Sequence, residues 1–180
     1  MKKFIALLRG INVSGQKKIK MSELQLLFEE MGFRDVETYI QSGNVIFSSK
    51  ENSREKLESK ISSGIKGKFG FDVQIIVRKP EEIEHILKNN PFLKKKKDAD
   101  KLYVTFLSKI QSDENIEKMY AIDYSPEEYF IEGKHIYLFV PNGYGKAKLS
   151  TNLFENKLKI FGTTRNWKTV TAISELAKSH

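Results

Sequence analysis

One order of strand-like and helix-like segments fills residues 1–93 and begins again after residue 100, and this repetition restricts the fold more than any single motif. Phe4 to Leu8 is a continuous apolar run ending at Arg9-Gly10, the pattern of a strand buried on both faces. A loop leads to Ser22-Glu23-Leu24-Gln25, which has the form of a capping box. Leu24, Leu27, Phe28 and Met31 make the apolar stripe of a helix that Gly32 ends. Val36 to Ile40 and Val45 to Phe47 are rich in strand formers and are joined through Ser42-Gly43-Asn44, which predicts a hairpin. Asn52-Ser53-Arg54-Glu55 opens a second helix through Leu57, Ile61 and Ile65. Val73 to Val77 is the next strand, and Pro80 starts a helix that stops before Asn90-Pro91.

The second half follows the same order. Leu102 to Leu107 is a strand, Ile116 and Met119 mark a helix, and Tyr129 to Ile131 pairs with Ile136 to Val140 across Glu132-Gly133-Lys134. Asn152-Leu153-Phe154-Glu155 opens a helix towards Phe161-Gly162, and Thr163 to Arg165 is a short strand before the last helix. The predicted fold class is therefore α+β, with two ferredoxin-like βαββαβ subdomains in tandem, an internal structural duplication. The first spans 1–93 and the second 101–180. Residues 94–100, with Lys94, Lys95, Lys96 and Lys97 in a row, form a Lys-rich connector.

That topology sorts the polar loops. In a ferredoxin-like unit the first two strands run parallel, so the loop after the first strand and the tip of the hairpin share one edge. Arg9, Asn12, Ser42 and Asn44 gather there. In the second half the loop after the hairpin and the end of the last strand share an edge that gathers Gly143, Gly145, Lys146, Lys148, Arg165 and Asn166. With the halves inverted relative to one another, the two edges border one cleft.

Composition narrows the chemistry. At 180 residues with 39% hydrophobic content the chain can bury a core, and no apolar run approaches the about 20 residues that span a bilayer. No membrane partner is expected. The chain has no cysteine, which removes disulfides, thiolate nucleophiles and Cys-ligated metals, and a cytoplasmic location follows as the default. The net charge of +8 suits a phosphate-bearing ligand or nucleic acid. The excess is divided equally between residues 1–90 and 91–180, and only five of the basic residues are Arg, so no dedicated basic tail carries it.

Several segments resemble a known family. Leu7-Leu8-Arg9-Gly10-Ile11-Asn12-Val13, Lys20-Met21-Ser22-Glu23-Leu24, Tyr39-Ile40-Gln41-Ser42-Gly43-Asn44-Val45 and Thr163-Thr164-Arg165-Asn166-Trp167-Lys168-Thr169 resemble a bacterial family known as domain of unknown function 1697. Asn90-Pro91-Phe92 and Lys148-Leu149-Ser150 fit its pattern in order, whereas Ala147 stands where relatives often carry Ser. The resemblance implies two ferredoxin-like subdomains and supplies no activity.

Arg9, at the end of a buried strand, suits phosphate or carboxylate, or else ties its loop to backbone carbonyls. Asn12 and Asn44 divide between ligand contact and backbone satisfaction, and Ser42 between nucleophile and turn former. Gly143-Tyr144-Gly145-Lys146-Ala147-Lys148 ahead of a helix invites an anion, but Val140 and Ala147 exclude a Walker loop. Arg165 and Asn166 add a fork and an amide beside Trp167, itself a core candidate. His85, His135 and His180 have no metal-ligand spacing, so no metal is expected, and Mg²⁺ enters only with a phosphorylated ligand. The leading reading is a protein that binds a phosphate-containing ligand, a nucleotide-like metabolite or nucleic acid, through Arg, Lys and Asn loops. The alternatives are an enzyme acting on a phosphorylated small molecule, with unknown catalytic residues, and a protein-interaction domain. Oligomeric state is not encoded in any of these features.

Overall fold

A computed structural model describes residues 1–179. Its strands form two four-stranded antiparallel sheets with helices, an α+β architecture. The chain divides into two compact units, Met1–His85 together with the C-terminal stretch from Ala172, and Ile86–Thr171.

The first unit contains β1 (Lys2–Leu8), α1 (Met21–Glu30), β2 (Arg34–Tyr39), β3 (Asn44–Ser49), α2 (Arg54–Phe69) and β4 (Ile75–Arg78), with α3 (Pro80–Lys88) following. Its sheet order is β2-β3-β1-β4. Alternation sets the core: Phe4, Ala6 and Leu8 of β1 share a face with Val45, Phe47, Ile75 and Val77. That face packs on Leu24, Leu27 and Phe28 of α1 and on Leu57, Ile61 and Ile65 of α2. Phe47 anchors it, with its ring 4.7 Å from Phe33 and 5.4 Å from Phe28. Each such ring contributes about 1.5–3 kcal/mol on burial. Ile5, Leu7, Ile46 and Ile76 on the other face are buried as well, which is why β1 shows no polar alternation. The sheet's edges are protected: Val77 N on β4 donates to Glu58 Oε1 at 2.9 Å, and β2 carries a bulge with Asp35 at φ 50°.

The second unit contains α4 (Pro91–Lys94), β5 (Leu102–Leu107), α5 (Asp113–Tyr120), β6 (Glu128–Glu132), β7 (His135–Phe139), α6 (Thr151–Leu158) and β8 (Gly162–Asn166). α7 (Trp167–Lys178) begins here and ends in the first unit. The sheet order is β6-β7-β5-β8. Leu107, Ile136 and Leu138 pack with Met119 of α5 and with Phe154 and Leu158 of α6. Trp167 is buried, as a core residue.

The helix starts differ in detail from those the capping signals predict. α1 begins at Met21 behind Lys20, with no side-chain cap, because Asn12 grips Ile19 through both its N–H and its carbonyl and sets the entry from outside. Ser53 rather than Asn52 caps α2, and Ser150 rather than Asn152 caps α6. In both, the cap is the residue with extended backbone, and the capping side chain follows that geometry.

Candidate functional site

β1 and β2 both run antiparallel to β3, so the loop after β1 and the β2–β3 tip emerge at one edge of the first sheet. There Leu8 N donates to Gly43 O at 2.9 Å and Arg9 N to Gln74 O at 3.0 Å. Asn12, at φ 54°, is the rivet. Its Oδ1 accepts from Ile19 N at 2.9 Å, and its Nδ2 donates to Ile19 O at 3.0 Å and to Gln41 O at 2.8 Å. Asn44, fully buried, donates to Tyr39 O at 2.9 Å and to Ser42 Oγ at 3.0 Å. Asn12 therefore holds backbone, and Asn44 holds backbone and the Ser42 hydroxyl.

The backbone around them is unusual. Gly10, Asn12, Ser14, Gly15, Lys17, Ile40 and Gly43 all have left-handed backbone at this edge. Ile40, at φ 50°, is the costliest, because a branched Cβ crowds the backbone there. It stays in place because the carbonyls on either side, Tyr39 and Gln41, are pinned by Asn44 and Asn12. Gly43 is obligatory: at φ 83° a Cβ would lie 2.7 Å from Ile11 Cδ1 and 2.8 Å from Leu8 Cβ. Ile11 and Ile19 anchor the loop in the core, while Val13 and Ile40 stand exposed. Arg9 is half-buried and Lys18 and Lys20 are exposed, in a loop 9–20 that contains no carboxylate. Lys17 Nζ reaches Asp72 O at 2.7 Å.

In the second sheet β7 and β8 are both antiparallel to β5, so the loop after β7 and the end of β8 also share an edge. Its chemistry is different. Glu127, buried, accepts from Lys148 N through Oε2 and from Leu149 N through Oε1, both at 2.9 Å. The amides that lead into α6 thus already face a carboxylate of the protein itself. Tyr144 stacks on Tyr103 at 5.0 Å and starts a row of hydroxyls. Its OH lies 2.9 Å from Thr151 Oγ1, which lies 2.7 Å from Thr164 Oγ1, which lies 2.7 Å from Thr105 Oγ1. Lys146 is exposed, and Lys148 Nζ donates to Ser125 O at 3.3 Å. Asn166 Oδ1 accepts from Thr169 N at 2.8 Å, the position of a cap for α7. Arg165 is buried, with Nη1 on Thr163 Oγ1 at 2.7 Å and Thr164 O at 3.0 Å, and burial pulls its guanidinium down to about 10. It remains charged at neutral pH inside the unit. Arg78 on β4 is buried likewise, and desolvation lowers it too.

Neither Glu127 nor the Tyr144–Thr151–Thr164–Thr105 row stands out in the sequence. The one available signal is Thr105, a polar residue in the apolar strand Leu102 to Leu107. Among the described residues no group of three or more His, Asp or Glu is placed to hold a metal ion, and His180 lies outside them. Among them, too, no helix is long and apolar enough to cross a membrane.

The model of a family described as "Protein of unknown function (DUF1697)" matches residues 1–137. Among solved structures the chain is similar to a conserved bacterial protein, SP0830 from Streptococcus pneumoniae, at 25% identity and a TM-score of 0.77, covering 97% of this chain and 98% of that one. No curated protein matches.

Proposed function

Because the chain belongs to the DUF1697 family, whose description assigns no reaction, we propose from the geometry itself that it binds a phosphate-bearing ligand at the first sheet's loop edge. Arg9, Lys18 and Lys20 supply the positive charge, and Asn12 and Asn44 hold the loops that present them. The observation that carries this reading is the pairing of a carboxylate-free basic loop with a cluster of left-handed residues locked by two asparagines. Strain of this kind persists only where surrounding bonds over-determine it, and it concentrates at ligand sites. A loop whose backbone is already held binds an anion with less ordering cost than a mobile one. On the absence of cysteine we place the protein in the cytoplasm, where nucleotides and nucleic acids are available.

Titration of the full chain with a mononucleotide, single-stranded RNA and duplex DNA at low and high salt tests this. Binding at low salt that weakens with added salt is expected, with Arg9→Ala weakening it about tenfold or more and Lys18→Ala and Lys20→Ala less. The mononucleotide arm separates a metabolite from a polymer. Silence of all three ligands at low salt, or an Arg9→Ala protein that binds as well as the parent, overturns it.

We also infer that the two units duplicate one ferredoxin-like βαββαβ plan. Corresponding bonds support it: Leu8 N to Gly43 O has its counterpart in Leu107 N to Lys134 O, and Arg9 N to Gln74 O in Ser108 N to Phe161 O. Buried Arg78 sits opposite Ile5 as buried Arg165 sits opposite Val104. An experimental structure in which the sheets superpose with Arg78 on Arg165 would bear this out, and a different strand order in either sheet would overturn it.

A further inference from the structure

Two exposed aliphatic side chains stand on the first edge beside its cations. Val13 is 57% exposed and Ile40 47%. A single exposed Val or Ile is ordinary on a protein surface, but these two flank one bond. Asn12 Nδ2 donates to Gln41 O at 2.8 Å, Val13 follows Asn12 and Ile40 precedes Gln41, so both belong to the same tip. Each is held from its other side as well. The Val13 carbonyl accepts from Gln16 N at 2.9 Å, closing the turn over Ser14 and Gly15, and Asn44 Nδ2 donates to the Tyr39 carbonyl just before Ile40 at 2.9 Å.

The charge beside them is mostly of one sign. Arg9, Lys17, Lys18 and Lys20 lie in one loop, and the flanking elements bring Glu23 of α1 and Glu37 of β2. Cations outnumber carboxylates four to two. Asp72, whose carbonyl takes the Lys17 amine, has its own carboxylate on Lys66 at 3.1 Å. Gln16 and Gln41, both exposed, add two side-chain amides to the tip.

This combination selects within the phosphate-bearing class. Inorganic phosphate and sugar phosphates use the cations and leave the aliphatics in water. Single-stranded nucleic acid is held on aromatic rings and arginine, whereas this tip offers Val, Ile and chiefly Lys. A nucleotide engages both parts: its phosphate meets the cations while one face of its base covers aliphatic carbon, and a side-chain amide can pair with the base edge. We propose, resting on the phosphate reading of this edge, that its ligand is a single nucleotide, with the base on Val13 and Ile40 and the phosphate among Arg9, Lys18 and Lys20.

NMR titration of the full chain at low salt compares adenosine 5′-monophosphate with ribose 5-phosphate, which carries the same phosphate and no base. The nucleotide is expected to bind about tenfold more tightly, and added salt to weaken both. Val13→Ser and Ile40→Asn change exposed positions, and the second relieves a branched residue in left-handed backbone, so both proteins are expected to fold. Each is expected to narrow the affinity ratio of the two ligands about threefold. Equal binding of the two ligands, or an unchanged ratio in both variants, overturns the proposal and leaves the phosphate reading in place. Silence of both ligands at low salt overturns the phosphate reading and this proposal with it.

Discussion

At the first loop edge Asn12 and Asn44 turn inward and hold the carbonyls of Gln41 and Tyr39, whereas at the second Glu127 turns inward and holds the amides of Lys148 and Leu149. In sequence the two loops look alike, since each combines Gly, Lys and a following helix. The difference lies in which backbone group the protein satisfies for itself. Neutral amides at the first edge consume acceptors and add no negative charge of their own. The carboxylate at the second edge fills the place an outside anion would take and cancels one positive charge. Glycines and lysines before a helix therefore identify an anion site only when no acidic side chain of the same chain reaches it.

The largest effect expected from this comparison concerns the glycines at the two edges. Gly43 and Gly143 have nearly equal φ, 83° and 88°, but a Cβ on Gly43 meets two side chains below 3 Å and one on Gly143 meets nothing within 4 Å. Gly43→Ala is expected to lose about 3 kcal/mol, combining backbone strain with overpacking, and Gly143→Ala, whose φ of 88° with ψ of 150° suits Gly almost alone, about 2 kcal/mol from strain alone. Urea denaturation of both variants measures the gap. Equal losses would mean that the first edge is no more tightly built than the second.

Glu127→Ala comes next, with an expected loss of about 2 kcal/mol, since it leaves two inward-facing amides without an acceptor. The informative readout is rescue. Inorganic phosphate is expected to restore thermal stability to the variant and to leave the parent unchanged, because only the variant has the anion place open. A variant that phosphate does not stabilise would show that the loop is shaped for the carboxylate alone.

The order of strands and helices was legible because apolar runs and stripes report burial along one element, and because Gly32 and Pro80 punctuate it. The shared edge of the 9–20 loop and the hairpin tip was legible too, since it follows from strand direction. Cap positions were off by one or two residues at Ser53 and Ser150, because the capping side chain is chosen by backbone angles that composition does not report. The candidate site was less legible than the fold. Arg165 looked like a ligand fork and lies buried on Thr163 and Thr164. Glu127 is 21 residues from Lys148, and the hydroxyl row draws on three separate segments, so neither leaves a local pattern. Long-range satisfaction of polar groups is invisible to periodicity.

The smallest expected effect is the sharpest on whether the first edge is strained for a purpose. Ile40 combines a left-handed backbone with a branched side chain that is 47% exposed, so it loses conformational energy without gaining full burial. Asn tolerates that backbone far better. Ile40→Asn is therefore expected to raise stability by about 1 kcal/mol, seen as a higher urea midpoint with an unchanged slope. If ligand binding falls at the same time, the exposed aliphatic side chain is held there against its own preference because the ligand uses it. If stability rises and binding is untouched, the strain at Ile40 is incidental to Arg9, Lys18 and Lys20, and the asparagines serve only to close the hairpin. A loss of stability would show instead that the Ile40 side chain packs on its neighbours more than its exposure suggests, and the comparison between the two edges would then rest on Gly43 alone.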